Sequence, residues 1–326
     1  DSIRKKYLGL NGTELAISES QERMAVVISP DDLCYFNNIC KEENILCDVV
    51  AKVTDSNRLI MKWNDKEIVS LSRDFLNTNG ITQIQSVKVN SPDIKKFPFD
   101  FRSLDECLRE LKSDLKDLSQ CSQKGLIERF DSSIGRNSVL TPFGGKTQKT
   151  PSQIMASKIP VVDSETSTVS LVSYGFDPEI SSWSPFHGAM LSVLESCSKI
   201  IASGANMEQI RFSFQEYFEK LKNVPEKWGK PFSALLGAYK IQKELKYPAI
   251  GGKDSMSGSF DEIDVPPTLI SFAVGISDEK YIVTNELKHP GNILVCFPII
   301  FSDNFIPDTK NILKNGSRTH YKNRGR

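Results

Sequence analysis

Apolar and polar residues alternate along the chain in a way that predicts short strands and a few amphipathic helices. In the first eighty residues, Leu33, Phe36 and Ile39 recur at near-helical spacing, and Asp31 or Asp32 precedes them as a helix cap. Runs of apolar and β-branched residues on either side of this helix predict strands. These strands lie at residues 14–17, 24–28, 48–53 and 58–63, and the first two are joined by a charged turn at 18–23.

The rest of the chain predicts longer elements. Residues 81–101 are polar and contain Pro92 and Pro98, which predicts an extended linker. Five leucines at helical spacing then predict an amphipathic helix whose apolar face packs in a core. They are Leu104, Leu108, Leu111, Leu115 and Leu118. Further strands are predicted at 169–175, at 268–274 and from 292 onward, and helices at 186–203 (ended by Gly204) and 233–245.

The length and composition bound the class of protein. A chain of 326 residues exceeds what one hydrophobic core usually organises, so we expect two or three units, and the mixture of predicted helices and strands indicates the α+β class. Lys plus Arg and Asp plus Glu number 41 each, so net charge indicates neither nucleic acid nor an anionic membrane as the main partner. No apolar run reaches ~18 residues and no secretory signal is present, so a membrane span is not expected.

Cysteine usage and the first residue add two expectations. The seven cysteines are odd in number and form no CxxC pair, so we expect reduced thiols and a cytoplasmic protein. The chain starts with Asp1 in the middle of a pattern, which suggests a fragment of a longer protein.

The segment 248–258 holds the clearest candidate chemistry. An apolar strand is predicted to enter a turn of small residues at Gly251 and Gly252, followed by Lys253, Asp254 and Ser255. Glycines let backbone N–H groups approach an anion, the lysine supplies a charge, and the hydroxyl or carboxylate orients a phosphate or its Mg²⁺. The spacing is not that of a Walker loop. A plain strand connection is the alternative.

Two further candidates are weaker. Lys146, Thr147 and Gln148 form a second polar loop, which either reaches the same ligand or is a solvated basic turn. His187, at the start of a predicted helix, is either a general base or, more in keeping with its position, a packed or capping residue. None of Cys34, Cys197 and Cys296 has a nearby His and acidic residue in sequence that would suggest a glutaminase nucleophile.

Six windows of the sequence carry a family resemblance. They are SESQERM at 18–24, GGKTQKTP at 144–151, TVSLV at 168–172, SPFHGA at 184–189, FQEYF at 214–218 and IGGKDSMS at 250–257. In order and spacing they resemble the phosphoribosylformylglycinamidine synthase family, whose synthetase region belongs to the aminoimidazole-ribonucleotide-synthetase-like superfamily. The resemblance extends over residues 8–301.

The resemblance implies tandem synthetase halves, each an A domain followed by a B domain, with the A domains contributing strands to a central β-barrel flanked by helices. It places the end of the first B domain at 1–80, a linker and amphipathic helix at 81–119, the second A domain at 120–285 and a truncated start of the second B domain at 286–326. The missing first synthetase half and the glutaminase domain would be partners.

The resemblance also implies an activity and site residues. The family uses ATP and glutamine to convert formylglycinamide ribonucleotide to formylglycinamidine ribonucleotide. Here it implies an ATP or ADP site that includes Val162 and the 251–255 segment, with Mg²⁺ ligands at Asp163 and Glu195. It implies no catalytic residue within this chain, so the fragment alone is expected to be inactive.

One residue departs from the family pattern. A further metal-ligand position, four residues after Glu195, is often Asn in the family but is Lys199 here. A cation at this position would repel Mg²⁺, and Lys199 can instead form an i,i+4 ion pair with Glu195. The alternatives are therefore a non-catalytic scaffold half of the same enzyme, or another ATP-dependent synthetase or kinase of the superfamily.

Overall fold

The computed structural model describes residues 2–5, 7–18, 23–78, 84–98, 103–129, 137–295 and 298–310. The chain divides into two compact units, Asp1–Ile84 and Gln85–Arg326. Both units combine helices with strands, which confirms the predicted α+β class.

The first unit is built around a β-hairpin. Strands β1 (Arg58–Trp63) and β2 (Lys66–Ser72) pair antiparallel through a turn at Asn64 and Asp65, both of which have positive φ. Asn and Asp tolerate this left-handed conformation better than most residues, so the turn follows from the local sequence. The helices of this unit are α1 (Gly12–Ile17), α2 (Leu33–Glu42) and α3 (Arg73–Leu76).

Helix α2 and strand β1 confirm two predicted elements, whereas the strand predicted at 14–17 is wrong because these residues belong to α1. The Asn11 side chain accepts a hydrogen bond from Glu14 N at 2.9 Å, and the Glu14 carboxylate accepts one from Asn11 N at 2.9 Å. This capping box stabilises a helix start that the apolar pattern did not reveal. Residues 24–28 and 48–53 form no strand in the described part of the chain, and 19–22 lie outside it.

The second unit contains five α-helices and ten strands among its described residues. The helices are α4 (Leu104–Asp114), α5 (Lys124–Arg129), α6 (Pro178–Trp183), α7 (Pro185–Ala202) and α8 (Pro225–Leu245). The strands are β3 (Ser138–Leu140), β4 (Phe143–Gly144), β5 (Thr150–Pro151), β6 (Ile154–Lys158), β7 (Thr168–Gly175), β8 (Arg211–Tyr217), β9 (Ala249–Ser255), β10 (Ser259–Phe260), β11 (Ile263–Asp264) and β12 (Thr268–Asp278).

A six-stranded sheet in the order β3-β6-β7-β12-β8-β9 forms the centre of this unit. Neighbouring strands are antiparallel except β8 and β9, which are parallel and are connected through α8. A parallel pair needs such a crossover connection. Within the described residues the sheet is open, with β3 and β9 at its edges. That it contributes to a central barrel stays a prediction.

Helix α7 lies close against β7 and β12 because small residues line the contact. Ser173 Oγ donates to Ser196 O at 2.6 Å, and Ser196 Oγ lies 2.8 Å from Ser271 Oγ. A Cβ on Gly175 would come within 2.9 Å of both Glu195 Cβ and Ser196 N, so the helix could not approach this closely. The serines satisfy polar groups that the contact buries. The largest fully buried side chains of the unit are Leu171, Met190, Leu194, Ile200, Ile210, Phe212, Phe218 and Ile241.

Strands β7 and β12 and helix α7 confirm the predictions at 169–175, 268–274 and 186–203, and Gly204 ends α7 with a φ of +104°. Helix α8 begins at Pro225, eight residues before the predicted start near Ser233, and Pro231 lies inside it. No strand begins at 292 in the described residues, and 296–297 lie outside them.

The leucine stripe of α4 is not buried, which corrects its prediction as core. Leu104, Leu108 and Leu111 are 74%, 57% and 47% exposed, and the leucines at 115 and 118 are exposed as well. The helix itself is well formed, since Ser103 and Glu106 make a capping box. Of the predicted linker, residues 84–98 are described, and one of them is bonded to α8: Lys88 N donates to Pro225 O at 2.9 Å. Trp183 Nε1 similarly donates to Asp93 O at 2.8 Å.

Candidate functional site

The carboxyl ends of the parallel strands β8 and β9 lie side by side at one edge of the sheet. Tyr217 is in register with Ser255, and beyond them Phe218 N donates to Ser255 O at 2.9 Å. Gly258 N then donates to Phe218 O at 2.9 Å, which fixes the two chain segments that leave the sheet. In open parallel α/β sheets ligands bind outside the carboxyl ends of the strands, and β8 and β9 are the parallel pair of this sheet. The carboxyl ends of β8 and β9 are therefore the candidate site.

The diglycine is part of a strand, so the predicted turn at this position is wrong. Residues 249–255 form β9, and neither Gly251 nor Gly252 has a positive φ. A Cβ on Gly252 would lie closer than 3.0 Å to the carbonyl oxygen of Phe214, whereas one on Gly251 would meet nothing within 4 Å. Gly252 thus permits close pairing with β8. Gly251 leaves open space beside the strand.

The polar residues after the diglycine are free to meet a ligand. Lys253 Nζ makes only a long contact of 3.4 Å with Asp254 O, and no carboxylate pairs with it in the described part of the chain. Ser255 Oγ lies 2.8 Å from Ser257 Oγ. An exposed lysine two residues before a serine on the same strand suits the phosphate of a ligand, because the pair offers both charge and a hydrogen-bond donor.

A buried carboxylate, which the sequence analysis did not select, lies next to these residues. Glu216 is 5% exposed and is in register with Asp254 on the neighbouring strand. Burial raises the pKa of Glu216 to about 7, and the negative charge of Asp254 acts in the same direction. The available sequence signal was a glutamate two residues after Phe214, on the face of β8 that also carries Phe212.

The second polar loop is the turn between β4 and β5. Gln148 has a φ of +50°, its N–H donates to Gly145 O at 3.1 Å, and its own carbonyl accepts from Lys124 Nζ at 3.0 Å. No hydrogen bond or ion pair among the described residues joins Lys146, Thr147 or Gln148 to β9. That this loop reaches the same ligand stays a prediction.

Val162 and Asp163 lie in the loop between β6 and β7. The Val162 side chain is 88% exposed, and Asp163 is exposed with a φ of +51°. Both side chains are therefore accessible to a ligand.

Glu195 and Lys199 form the i,i+4 ion pair that the sequence allowed. Lys199 Nζ lies 2.6 Å from Glu195 Oε1, and Phe176 N donates to Glu195 Oε2 at 3.1 Å. Lys199 Nζ also donates to Tyr174 O at 3.1 Å and lies 4.7 Å from the centre of the Tyr174 ring. Both carboxylate oxygens of Glu195 are thus used by donors of the protein.

These contacts bear on the implied Mg²⁺ site. Mg²⁺ prefers several oxygen ligands in a regular arrangement. In the described ranges no group of three or more His, Cys, Asp or Glu residues is placed to hold a metal ion. Since Lys199 already neutralises Glu195, the residues present do not fit a divalent ion at Glu195.

His187 is a packed residue whose two ring nitrogens are both engaged. Nε2 lies 2.9 Å from the carbonyl oxygen of Asn304, which can only accept, so Nε2 carries the hydrogen. Nδ1 lies 2.7 Å from Ser184 Oγ, and Ser184 also caps α7. Burial lowers the pKa of His187, which favours the neutral ring. This arrangement favours the packing role over a general base.

The cysteines differ in burial. Cys197 is buried in α7, and this burial raises the pKa of its thiol to about 12, so it is unreactive. Cys296 lies outside the described residues, and Cys34 is exposed. No helix in the described ranges combines the length and apolar character needed to cross a membrane.

Sequence comparisons connect this geometry with known proteins. Residues 2–64 match the family described as AIR synthase related protein, C-terminal domain. Phosphoribosylformylglycinamidine synthase subunit PurL of Thermoplasma acidophilum is 23% identical over 304 residues, covering 90% of this chain and 38% of the relative. The same subunit of Rhodococcus jostii is 23% identical over 306 residues, with the same two shares. The chain is a homologue of PurL.

Solved PurL structures share the fold. PurL of Thermotoga maritima complexed with FGAR superposes with a TM-score of 0.62 at 18% sequence identity, covering 88% of this chain and 42% of that one. The ADP complex gives a TM-score of 0.61 at 18% identity, covering 88% and 43%. The chain spans about two fifths of the length of the PurL relatives that it matches.

Homology to PurL extends over both units, because the aligned part covers 90% of the chain. The AIR synthase match falls in the first unit, and the candidate site lies in the second.

Proposed function

We propose that this chain is part of a PurL-type phosphoribosylformylglycinamidine synthase and supplies nucleotide-binding elements of its second synthetase half. Homology to PurL subunits over nine-tenths of the chain carries the proposal. PurL of Thermotoga maritima has been solved in complexes with ATP, ADP and FGAR, which supports nucleotide and ribonucleotide ligands for this fold. The assembled enzyme would be an ATP-dependent C–N ligase of purine biosynthesis.

The proposed reaction consumes formylglycinamide ribonucleotide, ATP, glutamine and water. The γ-phosphoryl group of ATP would pass to the amide oxygen of the substrate. Ammonia released from glutamine would then attack the amide carbon that carries this oxygen. Phosphate then leaves with that oxygen, and the products are formylglycinamidine ribonucleotide, glutamate, ADP and phosphate. The first synthetase half and a glutaminase domain are the partners that this chemistry requires.

Within this chain the phosphates of ATP or ADP would bind at the carboxyl end of β9. Lys253 supplies an ammonium group that no described carboxylate pairs with, Ser255 a hydroxyl, and Gly251 the open space that an incoming group needs. Gly252 would contribute indirectly, because its lack of a Cβ permits close pairing of β9 with β8. Asp254, on the same strand, would orient the ligand by accepting a hydrogen bond.

Two residues of the β6–β7 loop would complete the nucleotide site. Val162 would contact the nucleotide through its exposed side chain. Mg²⁺ would arrive on the phosphates, as is usual for this ion, and Asp163 is the accessible carboxylate of the implied pair. Glu195 is not available for it, because Lys199 and Phe176 N use both of its oxygens.

A scaffold half without nucleotide binding is the second candidate. The Glu195–Lys199 ion pair favours it, because a cation of the protein replaces a metal ligand there. The regular pairing of β9 with β8 also favours it, since a strand offers a phosphate fewer free N–H groups than a glycine turn.

A cytoplasmic location is part of the proposal. The six described cysteines are all free, which agrees with reduced thiols in a reducing compartment.

Calorimetric titration of ATP and ADP, with and without Mg²⁺, tests the nucleotide site. We expect micromolar binding by the unmodified chain and at least about tenfold weaker binding by Lys253→Ala, because a charge-assisted contact contributes about 1.5–3 kcal/mol. Lys66→Ala is the matched control, since Lys66 is also an exposed lysine on a strand but belongs to the first unit.

The outcomes separate the two candidates. Binding that falls in Lys253→Ala and not in Lys66→Ala supports a working nucleotide site. No binding by a chain that melts cooperatively supports the scaffold half instead, and equal loss in both variants excludes Lys253 as a specific contact.

A further inference from the structure

The β7–α7 junction of the second unit contains an ammonium group that contacts two oxygens and an aromatic face. Lys199 Nζ lies 2.6 Å from Glu195 Oε1 and 3.1 Å from Tyr174 O, and the face of the Tyr174 ring lies 4.7 Å away. The Lys199 side chain is only 17% exposed, which is low for a lysine. Its charged end is therefore held in one place by the strand end and the helix.

The groups around this ammonium are the ones that bind cations. A carboxylate oxygen and a backbone carbonyl are hard oxygen ligands, and an aromatic face attracts positive charge. The second carboxylate oxygen of Glu195 accepts from Phe176 N at 3.1 Å, which fixes the orientation of the carboxylate. One positive charge already satisfies this set.

We propose that Lys199 is a built-in cation that takes the place of a divalent metal ion between Tyr174 O and Glu195, so that this half of the enzyme holds its β7–α7 junction without a metal. A divalent ion entering here would lie within a few ångströms of the ammonium group and would be repelled. Glu195 is then a structural partner of Lys199 rather than a metal ligand.

The test uses Mn²⁺ alone, without nucleotide, and measures bound metal by the loss of the free-ion electron paramagnetic resonance signal. The unmodified chain and Glu195→Gln should bind Mn²⁺ equally weakly, because Glu195 is not available. Lys199→Glu should bind it at least about tenfold more tightly, since the new carboxylate, Glu195 and the Tyr174 carbonyl then face one position. The double variant with Glu195→Gln should lose this gain.

Lys240→Glu is the matched control for the charge change. Lys240 pairs with Glu244 in the same i,i+4 arrangement on α8, but Glu244 is its only described hydrogen-bond partner. If Lys240→Glu gains Mn²⁺ as strongly as Lys199→Glu, any pair of glutamates is sufficient and the proposal is overturned. A folded Lys199→Glu that gains no Mn²⁺ also overturns it.

The comparison of the unmodified chain with Glu195→Gln does not depend on the stability of the charge-reversed variant. Mn²⁺ binding that disappears in Glu195→Gln would show that Glu195 is a metal ligand, which overturns the proposal. Adding a chelator should leave the melting temperature of the unmodified chain unchanged. Because nucleotide is absent from these measurements, their failure is distinguishable from failure of the proposed nucleotide site.

Discussion

The two adjacent glycines of β9 are expected to respond in opposite ways to the same substitution. A Cβ on Gly252 would lie closer than 3.0 Å to the carbonyl oxygen of Phe214 and 3.2 Å from the carbon and nitrogen of that residue. All three atoms belong to the backbone of β8, so no side-chain movement relieves the contact. The Gly251 position is open to at least 4 Å.

The expected free energies follow from these two environments. Overpacking costs about 1–3 kcal/mol, and a backbone obstacle places Gly252→Ala in the upper part of that range, about 2–3 kcal/mol. Gly251→Ala should instead stabilise by about 0.4–1 kcal/mol, because alanine restricts the unfolded chain and the native φ is not positive. The two variants should thus differ by about 2.5–4 kcal/mol in the free energy of unfolding.

Thermal unfolding and nucleotide titration of both variants provide the assay. Gly252→Ala should melt about 4–12 °C below the unmodified chain, and Gly251→Ala at or slightly above it. If the open space beside Gly251 admits a phosphate, Gly251→Ala should weaken ATP binding without loss of stability. Equal melting temperatures for the two variants would refute the argument from strand spacing.

Three further predictions concern other parts of the chain. Replacing both Lys227 and Lys230 by Met should cost about 3–5 kcal/mol in urea unfolding, because Glu219, with a 4% exposed side chain, loses both cations; a loss below about 1 kcal/mol would contradict this. The pKa of Glu216, about 7 when folded against an ordinary 4.5, means that the folded chain binds this proton more tightly. The free energy of unfolding should therefore fall by on the order of 3 kcal/mol as the pH rises from 4.5 to about 7. In urea titrations at several pH values, Glu216→Gln should abolish this pH dependence. Leu108→Gln should change stability by less than about 0.5 kcal/mol, and a loss of about 2 kcal/mol or more would show that its side chain, 57% exposed in α4, is packed.

Sequence reasoning succeeded where a strong local pattern and burial agree. Strand β12 and helix α7 were predicted because long apolar runs are bounded by clear start and stop residues, such as Gly204 after α7. It failed at α1, where a capping box decided the structure against a short apolar run. It also placed the start of α8 near Ser233, whereas the helix begins at Pro225 and contains Pro231.

The candidate site was likewise predicted in part: the residue types were found, but their secondary structure was not. Lys253, Asp254 and Ser255 could be selected from residue type alone, because few other combinations supply charge, carboxylate and hydroxyl next to glycine. Their position on a strand could not be predicted from residue type, since a diglycine is compatible both with a turn and with an extended strand. Only the pairing partner of β9, which is distant in sequence, distinguishes the two.

Residue order in this chain was enough to establish the α+β class, the main helix and strands of the second unit, and the resemblance to one enzyme family. These properties depend on short-range patterns and on motif spacing, which can be read from the sequence without knowledge of the tertiary structure. The burial of Glu216, the exposure of the α4 leucines and the capture of Glu195 by Lys199 emerge only when the elements pack. Burial and charge pairing are relations between residues brought together by the fold, so no local pattern contains them.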